Sequence, residues 1–494
     1  MATATHAETT VRREKMFIGG EWIESTDGRT FEVETPAKRG QVIAQVPRAN
    51  ASDVDRAVKA AAAAFPAWRA LAPRERGRML SRIADDLEAA IEDLARLLAS
   101  ETGNAIRTQA RPEAKTTADL FRYFGGLGGE LKGETIPLGE SMFSYTRREP
   151  WGVVAAIVPW NVPILISAWK VAPALLAGNT VVLKPSANAP LAALAFARIA
   201  QRHLPKGVLN VVTGPGDEVG TPLVTHPLVA KISFTSNTET GKAILRMAAD
   251  RILPVTLELG GKSPQIVFPD SDNDRTADGV IAGMRFARQG QSCTAGSRLF
   301  VHKSVYDSFL DRLATKLGKM KVGDPLDEAS DMGAIVSKQQ FEKVTGYIAD
   351  GAQQPGARTV AGGLPPAQGP LAEGYYIQPT VFANVSNEFR LAREEIFGPV
   401  LVAIPWTDEA EVIRMANDTH FGLAAYVWCN DVAKAIRTAH AIDAGFVQIN
   451  QGLGQIVGQP YGGFKQSGLG RENSLEGMLE SFTQRKSVTI NLAH

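Results

Sequence analysis

The chain has 494 residues, 44% of them hydrophobic and 21% charged, with a formal net charge of +1. At about 100–200 residues per domain this predicts two to four globular domains with ample core, and the near-neutral charge excludes capture of nucleic acid or an anionic membrane by bulk electrostatics. Two cysteines exclude a disulfide framework and fit a reducing compartment, the cytoplasm, while the seven histidines show no metal-site spacing.

Residues 1–15 are polar without an apolar core and read as a frayed tail, not a secretory signal. Residues 17–22 and 30–34 are predicted strands divided by the turn Thr26-Asp27-Gly28. Ser52 is expected to cap a helix that Pro66 stops. Leu80, Ile83, Ala84 and Leu87 recur at helical spacing, and a further helical pattern over 91–101 ends before Gly103. Residues 121–129 lead through a Gly-rich turn to 143–147, whose alternation predicts a half-exposed strand or hairpin. Residues 151–169 carry no charge. Pro159, Asn161 and Pro163 would strand backbone groups in lipid, so the segment reads as a buried strand and helix and not as a membrane span.

From residue 150 continuous apolar strands (152–158, 180–183, 208–212, 231–234, 255–259) alternate with helices (163–176, 191–203, 218–226, 238–249). That alternation predicts a doubly wound, mostly parallel sheet covered on both faces. A second α/β unit follows, with strands over 299–301, 400–404, 424–428 and 446–449 and helices over 304–319, 339–350, 409–417 and 432–441. Residues 353–374 read as an exposed Gly/Pro-rich connection. The terminal strand 487–490 needs a partner sheet, in this chain or another. No internal repeat is present.

The chemistry is expected around FARQGQSCTAGSR, residues 286–298. Cys293 lies between Gly290 and Gly296 among small residues, in a loop that lets another molecule come close. A free thiol packs as a small hydrophobe or attacks a substrate, and residue type alone leaves both open. Four further places stand beside it. Asn161, in Pro159-Trp160-Asn161 after an apolar strand, is either an oxyanion donor or a turn residue. Glu258, before Gly260-Gly261, is either a general base or a surface carboxylate. Lys184, in Lys184-Pro185-Ser186, either holds a ribose or phosphate or is solvated, and Glu394-Glu395 either hold sugar hydroxyls or are loop charges. Two turns are candidates for phosphate: residues 214–220, an imperfect Gly-rich fingerprint, and residues 235–238 at a helix start. Cys429, after an apolar strand, reads as structural.

The motifs PWN, KPS, ELGG, GQSC and EEIFGP, in this order over nearly the whole chain, resemble the NAD(P)-dependent aldehyde dehydrogenase superfamily. The resemblance implies a Rossmann-like cofactor domain (1–127 and 150–258), an α/β catalytic domain (259–465) and a small bridging, oligomerising β element (128–149 and 478–494) in a homodimer or homotetramer. It implies that Cys293 is the nucleophile, that Asn161 and the Cys293 amide form the oxyanion hole, that Glu258 activates the hydrolytic water and that Lys170 and Glu472 relay protons. Cofactor contacts are then expected from Ile157, Val158, Pro159, Trp160, Lys184, Ser186, Ala187, Gly216, Gly220, Phe234, Ser236, Asn237, Leu259, Glu395 and Phe397.

Two departures bear on the cofactor. NAD-preferring members often carry a Glu where this chain has Ala187, so NADP is expected to be tolerated beside NAD. The family's FTGS turn reads Phe234-Thr235-Ser236-Asn237 here. Semialdehyde-type relatives place an Arg at the position of Trp169, which points to a neutral aliphatic or aromatic aldehyde. Its expected wall is Val162, Leu165, Ile166, Trp169, Phe286, Ser292, Thr294, Leu453 and Tyr461, with Val162 and Gly452 leaving room. The alternatives are a CoA-acylating enzyme, against which Glu258 argues, and a binding paralogue that keeps only the fold.

Overall fold

The computed structural model describes residues 11–493. Most of the expected tail lies outside the described residues, but Arg12–Arg13 form a short strand parallel to Ala44 and Gln45. The first helix, Ala51–Ala70, differs from expectation at both ends. Its cap is Asn50, not Ser52: the Asn50 side chain accepts the Ser52 and Asp53 N–H groups, and the Asp53 carboxylate accepts the Asn50 N–H. Pro66 does not stop it. The proline lies on the exposed side, where water serves the carbonyl it cannot bond. The last turn is pinned by buried Trp68, whose Nε1 donates to the Leu175 carbonyl at 3.1 Å.

Helices Pro73–Ala89 and Ile91–Thr102 follow, the second closed by Gly103 in the left-handed region. Helix Arg111–Gly126 was not expected over most of its length. Its buried face includes Ala114, Thr117 and Ala118, too small and polar to stand out as an apolar stripe.

Among the described residues four sheets organise the chain. The largest has strands in the spatial order Gly468–Leu469, Val255–Glu258, Val229–Thr235, Val153–Ile157, Thr180–Lys184, Leu209–Val211, Met16–Ile18 and Glu21–Ile23. Its five middle strands are parallel. After Val153–Ile157 the chain winds one way through two strands, then crosses to Val229–Thr235 on the other side. The topological switch therefore falls between those two strands, and ligands of such sheets bind at the carboxyl ends beside the switch. Pro159-Trp160-Asn161 and Thr235-Ser236-Asn237 stand at those ends. The uncharged segment 151–169 is the buried strand Val153–Ile157 and the start of helix Pro163–Ala177. Among the described residues no helix is long and apolar enough to cross a membrane.

The second sheet orders Arg358–Ala361, Thr380–Ala383, Val400–Trp406, Arg298–His302, Pro264–Val267, Ala424–Trp428 and Phe446–Ile449, all parallel but the first. Pro264–Val267, next to the central strand Arg298–His302, is not among the expected strands, and Arg358–Ala361 falls within the stretch expected to be a plain connection. The terminal strand Thr483–Asn491 pairs antiparallel with Met142–Pro150 of the same chain, and Thr135–Pro137 completes that sheet. Phe143 and Ile490, paired in register, are both exposed, as are Ile136, Leu138 and Met142. The fourth sheet joins Arg12–Arg13, Val42–Pro47 and Thr30–Glu34, so the two N-terminal segments expected as neighbours belong to different sheets.

Candidate active site

Cys293 is carried on the connection between helix Asp274–Gly283 and strand Arg298–His302. Left-handed residues at Arg285, Gln289 and Gly290 coil this loop into successive tight turns. A Cβ at Gly261 would collide with the Cys293 carbonyl, so the Gly pair after Glu258 brings the two sheets together at the thiol. Burial pushes the Cys293 thiol up to about 11; a contact from the Tyr461 hydroxyl at 3.5 Å and the Arg288 charge oppose that shift. The Cys293 backbone N–H has no hydrogen-bond partner among the described residues. Asn161 lines the same cavity as Cys293. Its Nδ2 donates to the Gln291 carbonyl at 3.0 Å, which fixes the amide and leaves its second N–H free. Asn104, not anticipated from sequence, donates to the Asn161 carbonyl at 3.0 Å and fixes the backbone.

Glu258 ends its strand 2% exposed, and neither carboxylate oxygen has a partner. Burial, then the neighbouring Glu472 charge, raise its pKa well above the usual carboxylate range. Lys170 and Glu472 form a fully buried ion pair at 2.8 Å. Ser233 bridges them, accepting from Lys170 Nζ at 3.1 Å and donating to Glu472 Oε1 at 3.0 Å. A second buried lysine, Lys231, shares Ser233's face of the strand and donates to Thr256 at 2.7 Å. Burial pulls its pKa down to about 7. Its only sequence signal was a charge within an otherwise apolar parallel strand.

Two adjoining cavities lie at the switch point. One, of about 170 Å³, is lined by Cys293, Asn161, Ile166, Leu259, Glu395 and Phe397. The other, of about 340 Å³, is lined by Ile157, Val158, Lys184, Ser186, Ala187, Asn188, Gly216, Gly220 and Phe234. Pro159, Trp160 and Ser236 face both, and Asn237 faces the first and caps helix Thr238–Ala249. A dinucleotide fits these surroundings. Gly216 and Gly220 leave open space where a side chain would stand. Lys184 is 4% exposed with one acceptor, the Pro185 carbonyl at 3.1 Å, and burial draws its pKa down to about 8, so its ammonium lacks acceptors that sugar hydroxyls can supply. The pair Glu394-Glu395 divides. Glu394 points outward to the Tyr347 hydroxyl and Arg390, whereas Glu395 faces the cavity and accepts the Gly261 N–H at 2.9 Å. Phe397, left-handed at φ 58°, sets its ring edge-on to Trp160 at 5.3 Å. Gln340 holds the Ile396 and Phe397 carbonyls, and Lys343 joins it in the wall; only the tertiary fold brings them there.

The sequence profile of the aldehyde dehydrogenase family matches residues 22–488. The chain belongs to that family. Among solved structures it is similar to the NAD+ complex of an aldehyde dehydrogenase from Bacillus cereus, at 39% identity over 98% of this chain and 97% of that one, with a TM-score of 0.94. An NAD-dependent aldehyde dehydrogenase from Sinorhizobium meliloti gives 38% over 98% and 95%, TM-score 0.94. Betaine aldehyde dehydrogenase from Staphylococcus aureus, solved with NAD+, gives 36% over 97% and 95%, TM-score 0.93. The aldehyde dehydrogenase fold expected from the motifs is thus the fold observed. Among the described residues no group of His, Cys, Asp and Glu is placed to hold a metal.

The expected substrate wall of this aldehyde dehydrogenase is only partly brought together. Trp169 packs on Tyr461, ring centroids 5.0 Å apart, and Tyr461 contacts the thiol. Val162 is buried at the start of helix Pro163–Ala177. Ser292 and Thr294 are buried and bonded to each other at 3.1 Å. Ile166 faces the Cys293 cavity on the cofactor side. Leu165 and Leu453, the latter 59% exposed, line a separate cavity of about 420 Å³. Phe286 is wholly buried and lines neither cavity; its neighbour Ala287 lines the larger one. Gly452 does not serve to leave room, because a Cβ there would strike the Gly279 carbonyl and Gly283. Arg288, five residues before Cys293, lines the same cavity as Leu165 and Leu453.

Proposed function

We propose that this enzyme oxidises an aldehyde to the carboxylic acid with NAD+ or NADP+, using Cys293 as nucleophile. The observation that carries this reading is the convergence at Cys293 of an unpartnered backbone N–H, the fixed Asn161 amide and the buried, unpartnered Glu258. The Cys293 thiol gives its proton to a neighbouring base, and the resulting thiolate adds to the aldehyde carbon. Asn161 Nδ2 and the Cys293 N–H take the developing oxyanion. The cofactor, when bound, supplies a hydride acceptor. The acyl group left on Cys293 as a thioester is attacked by water whose proton Glu258 takes, and cleavage of the C–S bond frees the acid and the Cys293 thiolate. Lys170, Ser233 and Glu472 give that proton a buried route away from Glu258.

Lys184 would hold the adenosine ribose, Glu395 the nicotinamide ribose and Phe397 the nicotinamide face. Ala187 and Asn188 place no negative charge at the wall near Lys184, which supports tolerance of a 2′-phosphate. Residues 1–127 with 150–258 serve as cofactor domain, 259–465 as catalytic domain, and 128–149 with 478–494 as bridging element. The exposed apolar residues Ile136, Phe143 and Ile490 on that last sheet support association with a second copy. Two unpaired thiols support a reducing, cytoplasmic setting.

The test is reduction of NAD+ or NADP+ by an aldehyde panel without CoA, alongside Cys293→Ala and Ala187→Glu. Turnover that vanishes in Cys293→Ala is expected, as is a lowered NADP-to-NAD ratio in Ala187→Glu. Turnover that requires CoA would replace hydrolysis with acyl transfer. Silence of the folded protein with every aldehyde would overturn the reading.

A further inference from the structure

We propose that the Tyr461 hydroxyl is a further catalytic group, which donates a hydrogen bond to the Cys293 sulfur whenever that sulfur carries negative charge, as attacking thiolate and as leaving group. This rests on the reading of Cys293 as nucleophile. The phenol oxygen stands 3.5 Å from Cys293 Sγ. Tyr461 is 1% exposed, and a phenol so buried ordinarily finds a partner for its hydroxyl. Among the described residues that partner is the thiol alone.

The surroundings hold the hydroxyl where it is. Tyr461 and Glu472 form an isolated antiparallel bridge: the Tyr461 N–H donates to the Glu472 carbonyl at 3.1 Å, and the Glu472 N–H donates back at 2.8 Å. Gly462 lets the two segments approach, because a Cβ there would strike the Gly470 carbonyl. One bridge therefore sets the phenol at the thiol and the Glu472 carboxylate at Lys170. The ring is seated between Trp169, centroids 5.0 Å apart, and Phe446, 5.8 Å away and edge-on. A ring packed on both sides does not swing its hydroxyl to another acceptor.

Burial, then the charges of Cys293 and Glu258, push the Tyr461 phenol well above its ordinary value. It therefore keeps its proton, and towards a thiolate, which has none to give, it acts as donor. Of the charged groups facing the thiol, Glu395 and Glu258 oppose a thiolate and Arg288 favours it, but only Tyr461 is in hydrogen-bond contact. A hydrogen bond to a charged acceptor is stronger than one to a neutral acceptor, so the hydroxyl stabilises thiolate over thiol. On addition the S–C bond forms and the charge moves to the aldehyde oxygen. After water has added to the thioester, the C–S bond breaks and its electron pair returns to sulfur, where the same O–H meets it. The phenol proton stays on Tyr461 throughout.

The test is Tyr461→Phe, which keeps the ring between Trp169 and Phe446 and removes only the hydroxyl. Its sole partner is the thiol, so the fold loses no other contact. The first readout is alkylation by iodoacetamide, followed at Cys293 by peptide mass spectrometry, which separates it from Cys429. At about pH 8 the variant should react about 3- to 10-fold more slowly than wild type: thiolate becomes about 10- to 100-fold scarcer, and its higher intrinsic nucleophilicity recovers part of that loss. The second readout is cofactor reduction with NAD+ and aldehydes of increasing length. Single-turnover and steady-state rates should both fall about 3-fold or more, for short and long aldehydes alike. Alkylation as fast as in wild type, or faster, would overturn the proposal. So would unchanged rate constants with a KM that varies with aldehyde size, the result expected if Tyr461 only walls the substrate. Turnover that survives Cys293→Ala would instead refute the catalytic reading of Cys293.

Discussion

Replacing Glu258 by Gln isolates the second half of the proposed reaction. The two side chains have the same shape, and neither carboxylate oxygen is hydrogen-bonded, so the exchange breaks no contact. The loss of a general base typically costs about 10²- to 10⁴-fold, or roughly 2.7–5.4 kcal/mol of activation free energy. Hydride loss precedes the step that needs this base. Glu258→Gln should therefore yield one equivalent of reduced cofactor per Cys293 in a rapid burst, then turn over about 10²- to 10⁴-fold more slowly than wild type. Stopped-flow absorbance of the reduced cofactor reads both phases. Stability supplies an independent check. The pKa of Glu258 is raised by folding, so its contribution is fully present below the unfolded carboxylate value and is lost as pH rises towards the folded one. The variant should match wild type near about pH 4 and melt at a higher temperature than wild type at about pH 8. Steady-state rates within about threefold of wild type, or loss of the burst together with the steady state, would refute the assignment.

Two further predictions follow from the buried pair and the terminal sheet. Lys170→Met and Glu472→Leu should each destabilise by about 3–5 kcal/mol, because each strands a buried charge, while the double variant should lose clearly less than the sum. Denaturant midpoints at constant slope measure this, and strict additivity would mean that the two charges do not depend on each other. Phe143→Glu combined with Ile490→Glu should shift light-scattering mass towards a single chain while leaving the far-ultraviolet circular dichroism unchanged; an unaltered assembly would remove this sheet from the interface.

Much of the architecture follows from local pattern. Apolar runs such as Val153–Ile157 and Thr180–Lys184, alternating with amphipathic helices, dictate a parallel sheet covered on both faces, because neither face of such a strand tolerates water. The Gly-flanked Cys293 and the strand-end positions of Asn161 and Glu258 were legible for the same reason: loop chemistry and strand ends are local properties. The helix Arg111–Gly126 and the strand Pro264–Val267 were not, since small and polar residues hide their burial. What only the tertiary structure decided is which side chains end in the dark without partners. Glu394 and Glu395 are neighbours, yet one meets solvent and the other the cavity. Asn104, Lys343 and Lys231 reach the site from remote positions. A residue's type is fixed by the sequence, but its desolvation and its missing partner are set by everything packed around it, and the proposed acid–base chemistry depends on those two quantities.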